Sequence, residues 1–291
     1  MPEQRADGGP ELRMLWNILM TIAIGYAVIV ALLTVFQSHL VYFPGTGREL
    51  TATPQAVGLA YESIDVLTED GETLHGWWVP AAGGGKAALG TVLFFHGNAG
   101  NISHRLDYLR MFNSLGYSTL ALDYRGYGRS SGSPSEEGTY RDALAGWRWL
   151  TQARGTKPQD IVVAGESLGG AVASWLAARH PPRALLMLST FTSVADLAAK
   201  IYPLLPVRLI SRFSYDNLAN LRQIRGPVFI AHSPDDEIVP FAHGQALFAA
   251  AGEPKQFLEL RGGHNEGFIF TREEWVGAVD AFLMRHAPGS E

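Results

Sequence analysis

Residues 161–176 begin with Ile161-Val162-Val163-Ala164-Gly165-Glu166-Ser167-Leu168-Gly169-Gly170 and continue into the helix-prone run Ala171-Val172-Ala173-Ser174-Trp175-Leu176. The first, apolar run predicts a buried strand, and the alanine-rich run predicts a helix. Between them, the Gly-x-Ser-x-Gly pattern predicts a sharp turn, because side chains at positions 165 and 169 would collide with neighbouring backbone. Such a turn holds the serine hydroxyl clear of the sheet. We therefore predict that Ser167 is a catalytic nucleophile; the alternative is that it only caps the helix.

Strand patterns and helix patterns alternate on both sides of this turn. The predicted strands are 62–67, 72–79, 91–95, 118–122, 161–164, 184–188, 228–231 and 256–260. The predicted helices are 102–115, 136–152, 168–179, 241–251 and 272–286. The first two strands flank Glu69, Asp70 and Gly71 and form a predicted hairpin. The rest predicts an α/β fold, a mostly parallel sheet with helices on both faces, whose ligands lie beyond the carboxyl ends of the strands.

A serine hydroxyl needs a general base, and the loop after the last strand supplies a candidate. His264 follows Gly262 and Gly263, which allow its imidazole to reach across the sheet edge. The turn after strand 228–231 carries Asp236, the predicted acid that orients the imidazole, with the neighbouring Asp235 as the alternative. These positions predict a Ser167, Asp236, His264 triad.

An oxyanion site is predicted where strand 91–95 ends. The loop His96-Gly97-Asn98-Ala99-Gly100 contains glycines, and its backbone N–H groups can face the nucleophile. We predict the backbone N–H groups of Leu168 and Asn98 as the two donors, with Ala99 as the alternative to Asn98. His96 is interpreted as a structural residue that fixes the loop.

Five segments together resemble the alpha/beta-hydrolase superfamily. They are residues 96–100, Asp123-Tyr124-Arg125-Gly126-Tyr127-Gly128-Arg129-Ser130, residues 165–170, the Asp236 turn and Gly263-His264-Asn265. The chain is most similar to the membrane-anchored "alpha/beta hydrolase domain-containing" branch, which includes acyl-protein thioesterases and serine-aminopeptidase-like members. The resemblance implies an acyl hydrolase without metal or cofactor that passes through an acyl-Ser167 intermediate. The order serine, acid, histidine along the chain is the one typical of this architecture.

The N-terminal region carries the clearest shift in composition. Residues 14–36 hold no charged side chain, and a span of ~20 apolar residues crosses a bilayer core. The run is longer than the ~7–15 apolar residues of a cleaved signal peptide, so we predict an uncleaved signal anchor; a cleaved signal peptide and a buried core helix are the alternatives. Arg5 and Arg13 precede it and Arg48 follows, which favours a cytoplasmic tail at 1–13 and an extracytoplasmic catalytic domain.

The predicted domain organisation continues with a linker at 37–60 and a hydrolase domain at 61–291. Within the domain, residues 191–226 are the predicted short cap. Its segment 201–210 is strongly apolar, with Lys200, Arg208 and Arg212 around it. The segment is either packed on the core, or forms an apolar wall that contacts an acyl chain or rests on lipid headgroups.

Composition excludes several classes of protein. The chain has no cysteine, which removes thiol nucleophiles and Cys-ligated metals, and its formal charge of -5 with scattered basic residues argues against a nucleic-acid partner. We therefore predict a membrane-anchored serine hydrolase that cleaves carboxylic ester or thioester bonds of acylated or lipid-like substrates. The alternatives are a serine aminopeptidase of the same fold and a non-catalytic, membrane-tethered binding module.

Overall fold

A single mixed sheet of eight strands organises the molecule, whose computed structural model describes residues 10–44, 48–82, 88–266 and 269–288. The strands are β1 (Glu62–Leu67), β2 (Thr73–Val79), β3 (Thr91–Phe95), β4 (Ser118–Leu122), β5 (Ile161–Glu166), β6 (Ala184–Leu188), β7 (Val228–His232) and β8 (Lys255–Glu259). The α-helices are α1 (Pro10–Val35), α2 (Ser38–Val41), α3 (Leu106–Ser114), α4 (Glu136–Arg148), α5 (Leu168–Arg179), α6 (Val194–Ile201), α7 (Val207–Ile210), α8 (Asn217–Leu221), α9 (Phe241–Ala250) and α10 (Glu273–Arg285).

The strand order places the ends of three functional strands close together. Across the sheet the order is β1-β2-β4-β3-β5-β6-β7-β8. The pairs β1–β2 and β2–β4 are antiparallel, and every pair from β4 to β8 is parallel, which confirms the predicted hairpin and the mostly parallel sheet. The loops after β5, β7 and β8 therefore leave the same edge of the sheet.

Both faces of the sheet are covered, because its central strands are mainly apolar and are buried at every position. In β3, Leu93 and Phe95 pack with α4 and α5 on one face. Val92 and Phe94 pack with α3 and α10 on the other face. The central strands are thus buried on both sides, which explains why their sequences are continuous apolar runs rather than alternating ones.

Two predicted helices change type along their length. The predicted helix 102–115 begins as a 3-10 turn, Ile102–Arg105, before α3, because the side chain of Asn101 accepts a hydrogen bond from the N–H of Ser103 and caps that tighter turn. The predicted helix 136–152 is α-helical to Arg148 and then widens into one π turn, Trp149–Ala153. The other differences between predicted and observed bounds are one or two residues at an end.

The predicted cap region contains three short helices with different surroundings. α8 packs against α5 and belongs to the core of the domain. α6 and α7 contact each other and contain exposed apolar side chains, of which Leu209 is 88% exposed. The segment between Thr192 and Ser211 is therefore the part of this region that extends away from the sheet.

The N-terminal helix α1 is 26 residues long and is apolar and exposed along its length. By length and composition it can cross a membrane. The segment 37–60, predicted as a linker, is attached to the domain at several points. Tyr42 is buried, its hydroxyl lies 2.7 Å from that of Tyr215, and the Asn98 side-chain amide donates to the carbonyl of Val41. The end of α1 is thereby held at a defined place on the domain.

Candidate active site

Ser167 lies at a strained turn between β5 and α5. Its backbone has φ 52° and ψ -115°, a conformation that non-glycine residues rarely adopt. The turn is tight because a Cβ at Gly165 would lie 2.1 Å from the carbonyl oxygen of Gly169, and one at Gly169 would lie 2.1 Å from that of Phe95. The two glycines are thus required by close backbone approach, and the turn directs Ser167 toward the cavity at the sheet edge.

The structure brings the predicted base to this serine. His264 Nε2 lies 3.2 Å from Ser167 Oγ, and His264 Nδ1 lies 2.8 Å from Asp236 Oδ2. An ionised carboxylate only accepts hydrogen bonds, so Nδ1 donates to Asp236 and Nε2 is left to accept from the serine hydroxyl. His264 and Asp236 are both buried, at 9% and 7% exposure. The geometry therefore supports proton transfer from Ser167 to His264.

Asp236 is held as the charged partner of His264. Its Oδ1 accepts hydrogen bonds from the N–H groups of Ile238 and Val239 at 3.0 and 2.7 Å. Burial by itself raises the pKa of the Asp236 carboxyl, but the hydrogen bond and charge of His264 and these backbone donors bring the pKa below its usual value. Asp235, the alternative acid, is exposed, and its Oδ2 accepts from the N–H of Gly262 at 3.4 Å.

The loop that carries His264 is fixed by the turn that carries Asp236. The N–H of His264 donates to Glu237 Oε2 at 2.9 Å, and Ser233 Oγ donates to the carbonyl of Gly262 at 2.6 Å. Glu237 and Ser233 flank the acid, so the two loops position each other. No local sequence pattern indicates these contacts, because both act across 27 or more positions of the chain.

The predicted oxyanion donors border the same cavity. Leu168 is the first residue of α5, so its N–H has no carbonyl one turn earlier in that helix. On the opposite wall, the carbonyl of Asn98 accepts from the Tyr127 hydroxyl at 2.9 Å and from the N–H of Phe43 at 3.3 Å. These contacts hold the loop after β3, where a Cβ on Gly97 would lie 3.5 Å from Ser167 Cβ.

Comparisons with known proteins agree with this fold. A protein-family model described as alpha/beta hydrolase fold matches residues 90–220. The alpha/beta hydrolase domain-containing protein WAV2 of Arabidopsis thaliana is 35% identical over 282 residues, which cover 89% of this chain and 91% of WAV2. This chain belongs to the alpha/beta hydrolases.

Two further similarities are consistent with that membership. Protein Rv2307c of Mycobacterium tuberculosis (strain ATCC 25618 / H37Rv) is 38% identical over 252 residues, 86% of this chain and 88% of that protein. The solved structure of the Pyrococcus furiosus esterase Pf2001 superimposes with a TM-score of 0.68 at 22% identity, covering 82% of this chain and 95% of that one. Membership in the alpha/beta hydrolases supports a hydrolytic function for the chain.

This alpha/beta hydrolase also has an ion pair beside Ser167 that its sequence did not indicate. Glu166, the residue before Ser167, accepts from Arg105 Nε at 2.6 Å, and both side chains are largely buried. Burial by itself lowers the pKa of the Arg105 guanidinium, but the Glu166 carboxylate raises it above its ordinary value. The partners are 61 positions apart, and no local pattern signals their contact.

The cavity in front of Ser167 is mainly apolar and has a volume of about 290 Å³. Residues of the cap form one wall: Val194, Leu197, Ala198, Ile201, Tyr202, Leu205, Val207 and Ile210. Leu33 of α1, with Gln37, Leu40 and Val41 just beyond it, forms another wall. The end of the N-terminal helix thus contributes to the site of this alpha/beta hydrolase, which the sequence alone did not indicate.

Proposed function

We propose that the chain is a serine hydrolase that cleaves carboxylic ester or thioester bonds of acyl-chain substrates through an acyl-Ser167 intermediate. The observation that carries the proposal is the pair of contacts made by His264, at 3.2 Å to Ser167 Oγ and 2.8 Å to Asp236 Oδ2. Nucleophile, base and orienting acid are the groups that acyl transfer to water requires. The structurally similar Pf2001 of Pyrococcus furiosus is named an esterase, which is consistent with the proposal.

Acylation begins when the Ser167 oxygen attacks the substrate carbonyl carbon. The hydroxyl proton passes to His264 Nε2, and Asp236 stabilises the resulting imidazolium through Nδ1. The carbonyl oxygen becomes an oxyanion, for which we propose the N–H groups of Leu168 and Asn98 as donors. Collapse of the tetrahedral intermediate breaks the bond to the leaving alcohol or thiol, which takes the proton from Nε2.

Deacylation repeats these steps with water. His264 Nε2 takes a proton from water as its oxygen attacks the acyl carbon, and the same backbone donors stabilise the second oxyanion. Collapse of the intermediate releases the carboxylic acid, and the proton on Nε2 returns to Ser167 Oγ. The enzyme is regenerated without any further group.

The lining of the cavity favours an acyl chain over a peptide amine. Leu197, Ile201 and Phe213 are apolar, and the buried carboxylate next to Ser167, that of Glu166, is neutralised by Arg105. An aminopeptidase needs carboxylates that are free to bind the substrate's ammonium group. The site therefore fits esters and thioesters better than aminoacyl amides.

We propose that α1 is the membrane anchor of this enzyme. In this arrangement residues 1–13 are a cytoplasmic tail, residues 14–36 cross the bilayer, and the hydrolase domain at 61–291 lies on the extracytoplasmic side. The helix is long and apolar enough to span, and Arg5 and Arg13 lie before it against Arg48 after it. Protease digestion of sealed vesicles would locate the domain, and protection inside inverted vesicles is the expected result.

Labelling with a fluorophosphonate probe tests the chemistry directly. The full-length chain should react covalently, Ser167→Ala should not, and the control Ser133→Ala, at an exposed serine, should react as the parent does. Matched esters, thioesters and aminoacyl amides then separate the reaction types, and the esters or thioesters should be hydrolysed faster. Undiminished labelling of Ser167→Ala would contradict the proposal.

A further inference from the structure

Two hydrogen bonds determine the position of the cap along the axis of α1. Arg212 Nη2 donates to the carbonyl of Val35, at the end of the helix, and the hydroxyl of Tyr26 donates to the carbonyl of Leu204 at 2.9 Å. Tyr26 and Val35 are nine residues apart, which is about 14 Å along a helix at 1.5 Å per residue. Leu204 therefore lies beside the C-terminal half of α1, well before the C-terminal end of that helix.

The part of the cap that lies beside α1 is mainly apolar and exposed, and the one charged side chain of residues 201–210, that of Arg208, is paired with Asp196 Oδ1 at 2.9 Å. Leu204 and Leu209 are 86% and 88% exposed, and Ile201 and Tyr202 are 53% and 41% exposed. One leaflet of bilayer hydrocarbon is about 15 Å thick, half of the full core. If α1 spans the membrane, Leu204 lies at the depth of lipid tails, whereas Leu209 lies next to Ile210, which bonds Gln37 just past the helix end, and so lies nearer the headgroups. The exposed Arg212 at the helix end lies at the level of the headgroups.

Several backbone polar groups of this segment are satisfied without water. Pro203 and Pro206 have no N–H group, and the N–H groups of Leu205, Val207 and Leu209 donate to carbonyls within the segment. The carbonyl of Leu204 accepts from Tyr26, and this bond also satisfies the hydroxyl that α1 carries within its apolar length. Polar groups in lipid must form their hydrogen bonds within the protein. The three N–H groups, the Leu204 carbonyl and the Tyr26 hydroxyl named here all do so.

The cavity of the active site reaches the same surface. Ile201 and Tyr202 line the cavity that contains Ser167 and His264, yet remain about half exposed. Leu33 of α1 lines it from the opposite side. The cavity is thus bordered both by α1 and by the cap, next to the surface that would face lipid.

We propose that residues 201–210 insert into the leaflet that holds the C-terminal half of α1, and that acyl chains enter the cavity from the hydrocarbon of that leaflet. The insertion depends on α1 spanning a membrane. The entry route rests in addition on the proposed hydrolase function. A water-soluble ester reaches Ser167 without this route, whereas a bilayer-resident ester depends on it.

Depth measurement tests the insertion. The chain has no cysteine, so Leu204→Cys and Leu209→Cys each create a single site for a polarity-sensitive fluorophore. Leu89→Cys is the matched control, because Leu89 is 48% exposed and precedes β3 at the edge of the sheet opposite the active site. The labelled full-length proteins are reconstituted in phosphatidylcholine vesicles that carry a nitroxide on the headgroup or on the acyl chain.

Acyl-chain nitroxides should quench the Leu204 label at least fivefold more strongly than the Leu89 label, and the Leu209 label, nearer the end of α1, should be quenched more than the Leu89 label but less than the Leu204 label. Quenching at the control level, or by headgroup nitroxides alone, would overturn the insertion. Shielding of the labels that increases with the protein-to-lipid ratio would point to a second copy of the chain on this surface, and would also overturn it.

Hydrolysis in the same vesicles tests the entry route. The double variant Leu204→Asp, Leu209→Asp should lower the rate on a long-chain ester embedded in the bilayer at least tenfold relative to the rate on a short, water-soluble ester. An unchanged ratio would overturn lateral entry. If the parent hydrolyses neither ester while its cap labels are quenched, the proposed function fails and the insertion stands.

Discussion

The two ring nitrogens of His264 have different partners, Asp236 at Nδ1 and Ser167 at Nε2. Asp236 accepts from Nδ1 at 2.8 Å, while Nε2 lies 3.2 Å from the Ser167 hydroxyl. The carboxylate keeps the proton on Nδ1, so Nε2 has a lone pair directed at the nucleophile. The two backbone N–H groups on Asp236 Oδ1 hold the carboxylate in position for this role.

Asp236→Asn should lower kcat by roughly 10³–10⁴-fold, because an amide at this position can donate to Nδ1 and leave the proton on the wrong ring nitrogen. Asp235→Asn is the control, since Asp235 is exposed and its oxygen binds a backbone N–H rather than His264. It should retain kcat within a few-fold. Steady-state hydrolysis of a short ester measures kcat for both variants. A larger loss of kcat for Asp235→Asn would indicate that Asp235, rather than Asp236, is the acid that orients His264.

The pH profile should show one ionisation on its acid side. The pKa of Asp236 is held below its ordinary value, so the carboxylate is already ionised at the pH where an imidazole loses its proton. Activity then rises with pH as the imidazole becomes neutral, and log kcat/KM should increase with a slope of one. A slope of two, or a rate that is flat from about pH 5 to pH 8, would contradict a histidine base supported by a charged Asp236.

Among the structural elements, the junction of β5 and α5 is tightly restricted by its neighbours. The helix begins directly after Ser167, and its first turn passes so close to β3 that the backbones nearly touch at Gly169. At Gly170 the close approach is to a side chain, because an added Cβ would lie 2.0 Å from Thr190 Oγ1. The position of the nucleophile thus depends on small residues packed between three elements.

Gly169→Ala should destabilise the fold by at least about 3 kcal/mol, because the new methyl would lie 2.1 Å from the carbonyl oxygen of Phe95, which belongs to the backbone of a central strand. Gly277→Ala is the matched control: it lies in α10 with nothing within 4 Å of the added Cβ. That variant should gain about 1 kcal/mol from helix propensity.

Denaturant unfolding of the full-length variants, followed by circular dichroism in detergent, gives both values. Equal stability of Gly169→Ala and the parent would show that the backbone at the turn can separate, and that the close approach does not hold Ser167 in place.

At the level of the whole molecule, Gln37 connects the end of α1 to the cap. Its side chain is 9% exposed, donates to the carbonyl of Ile210 at 2.7 Å and accepts from the N–H of Arg212 at 2.8 Å. Gln37 also lines the cavity. One amide therefore fixes the distance between the two walls that an acyl chain would contact.

Gln37→Met should lower the ratio of long-chain to short-chain ester hydrolysis by about fivefold. It removes two hydrogen bonds of about 1 kcal/mol each, leaves two backbone groups unpaired, and lets the walls separate. Gln55→Met, at an exposed glutamine in the turn Pro54–Val57, should leave the ratio unchanged. A series of esters of increasing chain length measures the ratio, and equal profiles for the two variants would argue against the connection.

Local sequence patterns were sufficient to predict the architecture of the chain. Continuous apolar runs predicted the central strands, and glycine spacing around Ser167 predicted the turn, because strand burial and backbone crowding act over a few neighbouring residues. The order of strands and loops also placed Asp236 and His264 at one edge of the sheet, since parallel strands share that edge.

The shape of the site came from contacts that no local pattern contains. Arg105 neutralises Glu166 across 61 positions, and Gln37 joins the cap across 173. Each segment is compatible with many partners when considered alone. The choice depends on which side chains meet once helices pack on the sheet, and that packing is settled cooperatively by the folded molecule as a whole.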